Sequence, residues 1–137
     1  MAETDLDFET LVEDFEFFDA WEDRYRYLID LGRQLPPMDE ADKTEANRVR
    51  GCISKVWVVP ANQDGRLVFT ADSDSHIVRG LVALARVLFH GKTKAEVQAV
   101  DLDQVFSRLG FDAHLSVNRR NGFQSLVRTL KAFAETL

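Results

Sequence analysis

The chain predicts an α+β fold, a small antiparallel sheet of about three strands with helices packed on one face. Three patterns carry that expectation. An apolar run, Val56 to Val59, and an alternating run, Leu67, Phe69 and Ala71, flank the turn-forming Asn62-Gln63-Asp64-Gly65. Apolar residues at helical intervals recur on both sides of this hairpin. No repeat, low-complexity tract or linker divides the 137 residues, so one domain, 1–137, is expected, and that length can bury a core unaided.

Taken in order, Leu11, Val12 and Phe15 follow Phe8 at helical spacing, with Asp5 or Asp7 placed to cap a first helix. A second helix is expected from about Asp19 to Leu31. Its Trp21, Tyr25, Leu28 and Ile29 form one face and read as core, Gly32 can end it, and Pro36-Pro37 forbids its resumption. Asp39 to Glu45 is polar, a loop or short helix. A short strand near Val49 is expected to join the hairpin as third strand. Asp72-Ser73-Asp74 offers caps for a buried central helix carrying Ile77, Val78, Leu81, Leu84, Ala85, Leu88 and Phe89, with Gly91 after it. Thr93 to Glu96 has capping-box spacing for a short helix to about Ala99. Asp101 to Leu109 reads as another, stopped by Gly110, and a terminal helix is expected from about Asn121.

Composition narrows the function. Hydrophobic residues at 45% against 29% charged are ordinary globular usage, and no run of about 18 apolar residues offers a membrane span. The acidic Met1 to Asp7 lacks the basic, then apolar, form of an export signal, and one cysteine makes no internal disulfide, so a cytoplasmic location is expected. A net charge of -6 disfavours nucleic acid and points to proteins or small molecules as partners.

The lone cysteine lies in Asn47-Arg48-Val49-Arg50-Gly51-Cys52-Ile53-Ser54-Lys55-Val56-Trp57. Gly51 frees the backbone beside the sulfur, the segment reads as a tight loop between strands, and Arg48, Arg50 and Lys55 favour the nucleophilic thiolate. The stretch resembles the cysteine motif of SufE-type sulfur acceptors. The resemblance extends through Trp21 to Gly32, through Asp72-Ser73-Asp74-Ser75-His76-Ile77-Val78-Arg79-Gly80-Leu81, and through His114-Leu115-Ser116-Val117-Asn118-Arg119-Arg120-Asn121-Gly122-Phe123. It covers nearly the whole chain, in order. Departures from the pattern fall at Val117, where proline is frequent, and at Arg120, where a small polar residue is usual.

What the resemblance implies is specific. The fold would be one shared by SufE proteins and IscU-like cluster scaffolds. Cys52 would take persulfide sulfur from a pyridoxal phosphate cysteine desulfurase, stimulate that enzyme, and pass the sulfur to a scaffold for iron-sulfur cluster assembly. The cofactor would belong to the desulfurase, and this chain would hold none. Gly51, Asp74 and Arg119 would serve partner binding. Asp74 would hold or release the cysteine loop, and the guanidinium of Arg119, or of Arg120, would bind a carboxylate. At rest the loop would be tucked against apolar residues and swing out on docking.

Two other readings fit the residues. Cys52 with His76 or His114 as base would make a thiol hydrolase, and an inert Cys52 would make a noncatalytic adaptor. A metal site is not expected, since one cysteine and the scattered His76, His90 and His114 lack any paired ligand spacing.

Overall fold

The computed structural model describes residues 7–51 and 54–137. At the centre of the sheet is a hairpin whose two turn residues, Asp64 and Gly65, both have positive φ, 55° and 84°. A two-residue turn of that hand matches the twist of paired strands, and it joins β1 (Val56–Gln63) to β2 (Arg66–Ser73) in antiparallel register from Val56 opposite Ser73 to Gln63 opposite Arg66. Val56, Val58, Leu67, Phe69 and Ala71 are buried on the inner face.

The third strand is not the expected one. Arg48 makes only an isolated bridge to Trp57, although the Val49 N–H does donate to Val56 O at 2.8 Å. The third strand is instead β3 (Lys92–Thr93), paired to Arg66 and Leu67 on the other side of β2, giving the order β1-β2-β3. Two 3-10 turns, Glu40–Asp42 and Glu45–Asn47, occupy the polar stretch before the cysteine segment. Val49 is buried all the same, so its hydrophobicity marks a core contact and not a strand.

The helices are α1 (Phe8–Phe17), α2 (Trp21–Arg33), α3 (His76–Phe89), α4 (Lys94–Gln98), α5 (Leu102–Leu109), α6 (Phe111–His114) and α7 (Val117–Ala134). Asp7 caps α1 and Thr93 with Glu96 forms the capping box of α4, as their spacing predicts. The cap of α3 is Ser75, whose hydroxyl accepts from Val78 N, and not a residue of Asp72-Ser73-Asp74. Asp72 is buried instead, and its carboxylate meets Arg79 at 2.7 Å and Lys43 at 3.2 Å. Burial would raise its pKa, but hydrogen bonds from Arg79, Ser73 N and Lys43 outweigh that and hold it below the usual range.

Gly32 does not end α2. It lies inside the helix, where an added Cβ would come within 2.7 Å of Gly80 N, while a Cβ on Gly80 would come within 2.5 Å of Leu28 O. These glycines let α2 and α3 approach closely. Leu28 and Phe15 are buried, and Phe15 packs edge-on against Trp21, Tyr27 and Phe111. Of the stripe on α2, Leu28 is core, while Trp21 and Tyr25 are partly buried and pack against it. Among the described residues no helix is long and apolar enough to cross a membrane.

Candidate functional site

Cys52 and Ile53 lie outside the described residues, and their neighbours define the surroundings of the site. Gly51 has φ +86°, and a Cβ there would also meet Ser125 Oγ of α7 at 2.8 Å. The positive φ favours glycine, and the close hydroxyl would have to turn aside for any larger residue. Two residues after the cysteine, Ser54 lines a cavity of about 50 Å³ walled by Val56, Val78, Leu81, Val82, Phe123 and Leu126, with Asn118, Arg119 and Gly122 completing it. About 10 to 15 Å³ of such space holds one water molecule, so the cavity has room for a small apolar group.

The loop's exit is pinned. Asp74 Oδ1 accepts from Lys55 N at 3.1 Å, and Asp74 N donates to Lys55 O at 3.2 Å. The residue expected to hold the loop thus bonds the first backbone groups after Ser54. At the entrance, Arg50 and Arg48 both approach Glu45, at 3.7 and 3.4 Å. That carboxylate, invisible in the local charge pattern, offsets part of the positive field expected there.

Arg119 is reached through the cap of α7. The terminal helix begins at Val117, four residues before the expected Asn121, because Ser116 Oγ accepts from Arg119 N at 3.2 Å. Val117 is then the first helical residue, a position that proline also suits, and its side chain is 60% exposed, so the departure at this position leaves the helix start intact. Arg119 is exposed and lines the cavity, while Arg120 is partly buried. Among the described residues no carboxylate lies in ion-pair range of either.

His114 ends α6; its ring stacks on Trp21 at 4.2 Å and its carbonyl accepts from Tyr25 Oη. His76 is exposed in the first turn of α3. Among the described residues no carboxylate orients either ring. His90 caps the end of α3, and its Nδ1 accepts from Phe69 N at 3.2 Å; burial, then the nearby Arg86 charge, lowers its pKa. Among the described residues no group of three His, Cys, Asp or Glu converges as a metal site.

Ser125 and Arg128, whose guanidinium donates to Ser125 Oγ at 3.2 Å, were not marked by the sequence. Only the packing of α7 against Gly51 brings them there.

Gly51 and Ser54, on either side of Cys52 and Ile53, thus lie against α7 and a small apolar cavity shared by β1, α3 and α7. The family model described as SufE, an Fe-S metabolism associated domain, matches residues 9–134. An uncharacterized SufE-like protein of Rhizobium meliloti (strain 1021) is 45% identical over 129 residues, covering 91% of this chain and 92% of the relative. Another, from Rhizobium etli, is 42% identical over 129 residues, covering 91% and 87%. The solution structure of a hypothetical protein from Thermus thermophilus superposes with a TM-score of 0.75 at 19% identity, covering 95% of this chain and 96% of that one, which establishes a common fold. The chain belongs to the SufE family, and with it to Fe-S metabolism.

Proposed function

We propose that this protein is a sulfur acceptor that takes persulfide sulfur onto Cys52 from a pyridoxal phosphate cysteine desulfurase, stimulates that enzyme, and delivers the sulfur for cluster assembly. The Cys52 thiolate attacks the outer sulfur of the desulfurase persulfide. The sulfur-sulfur bond there breaks, the enzyme's cysteine leaves as a thiolate, and Cys52 becomes the persulfide. No oxidant is consumed, and one cysteine suffices because the cargo must stay attached. Cytoplasmic location and a cofactor carried only by the partner accompany this reading.

The observation that carries it is the 50 Å³ apolar cavity beside Ser54, with Gly51 and Asp74 at the loop's two ends. Such a cavity suits shelter for a terminal sulfur. Intact mass after incubation with a desulfurase and cysteine tests the proposal. One added sulfur, removed by reductant and absent in Cys52→Ser, is expected; an unchanged mass refutes it.

A further inference from the structure

The charge of this chain is divided sharply along its length. Residues 1–23 hold ten of the 23 carboxylates and none of the 17 lysines and arginines, so the remaining chain, with 13 acidic and 17 basic residues, is positive by four. The acidic segment includes α1, which packs on α5 through Glu9 and Arg108 and on Phe111 through Phe15. Four exposed cations of the other part lie around the residues that flank Cys52. Arg50 and Lys55 flank it, Arg119 lines the cavity beside Ser54, and Arg128 sits on Ser125, the residue that Gly51 faces. All four side chains belong to exposed residues. Glu45 engages Arg50 only at 3.7 Å, and the Asp74 carboxylate is bonded to the Lys55 amide. Among the described residues no carboxylate lies in ion-pair range of Lys55, Arg119 or Arg128.

We infer that Arg50, Lys55, Arg119 and Arg128 form a basic collar that docks an acidic protein face surrounding the sulfur donor's cysteine. The inference rests on the sulfur-acceptor reading and adds the chemistry of the partner's surface. An acidic partner is attracted at the collar, so charge biases the encounter toward this face. At about 0.1 M salt the screening length is about 10 Å, which confines the attraction to close approach and makes it sensitive to ionic strength.

The test begins with a desulfurase that loads sulfur onto Cys52, as read by intact mass; if no desulfurase does so, the sulfur-acceptor reading itself fails. With such a pair, association rates are measured at ~20 mM and ~200 mM salt for the wild type, for Arg50→Glu with Arg128→Glu, and for Arg66→Glu with Lys94→Glu. The last pair makes the same change in charge at the opposite end of the hairpin, about 23 Å away along eight residues of strand. The wild type should slow about tenfold over this salt range. The collar variant should slow at least about tenfold at low salt and lose most of its salt response, with the far-end variant within about twofold of wild type. Thermal midpoints confirm that both variants are folded, and the wild-type salt response needs no variant. A salt-independent wild type, equal slowing in both variants, or a collar change that affects RNA binding but not desulfurase association overturns the inference.

Discussion

Asp74 shows how one residue serves a loop through ordinary backbone chemistry. Its carboxylate and its own N–H bond the two backbone groups of Lys55, so the strand leaving the loop is tied to the start of α3. Replacing Asp74 by Ala removes the side-chain bond and should cost about 1 kcal/mol. Amide exchange at Lys55 should quicken while the interior of α3 is unaffected; equal loosening across α3 would show that Asp74 matters to the helix and not to the loop. Arg119 and Arg120 are adjacent, but the helix turn separates them, leaving Arg119 exposed at the cavity and Arg120 partly buried. A forked, charge-assisted pair is worth about 1.5 to 3 kcal/mol. On the proposed sulfur-acceptor function, Arg119→Ala should therefore weaken desulfurase stimulation about tenfold and more than Arg120→Ala, and equal losses in a stimulation assay would remove the assignment.

At the scale of elements, the approach of α2 to α3 positions the start of α3 against the loop. Gly80 belongs to the segment that resembles the SufE pattern, and its role is steric: a methyl group there would lie 2.5 Å from Leu28 O and 2.7 Å from Leu28 C. Backbone atoms cannot turn aside as a side chain can, so the helices must separate. Gly80→Ala should destabilise the protein by about 1 to 3 kcal/mol, as read from denaturant midpoints. A neutral result would mean that the helices slide apart at no cost. The buried Asp72 acts on the same region, joining β2 to Arg79 of α3 and to Lys43 of the preceding loop, while Lys43 also lies 5.8 Å over the Trp57 ring.

Across the whole molecule, pH acts at the end of the sheet far from the loop. His90 closes α3 and accepts from Phe69 N in β2, and burial followed by the Arg86 charge holds its pKa below the ordinary 6.5. The fold thus prefers the neutral ring. Its stabilising contribution is whole above about pH 6.5 and is lost as pH falls from there toward the folded-state value. His90→Asn, whose amide oxygen can replace Nδ1 as acceptor, should show a flatter thermal midpoint between pH 7.5 and 5.5 than the wild type. Parallel profiles would assign the acid sensitivity to other groups.

Short-range chemistry was legible in the chain. Asp7, the Thr93–Glu96 box, the Asp64-Gly65 turn and Gly110 act within three or four residues, and each does what its spacing predicts. The cysteine motif and the three segments that accompany it identified the SufE family by residue order, independent of any contact. Partners distant in sequence were decided only by folding. Ser125 faces Gly51, Lys92–Thr93 supplies the third strand, and Gly32 meets Gly80. Local propensity determines which segments become helix or strand, whereas the burial of their apolar faces determines which segments touch, and a small cavity beside a loop exists only after those faces have met.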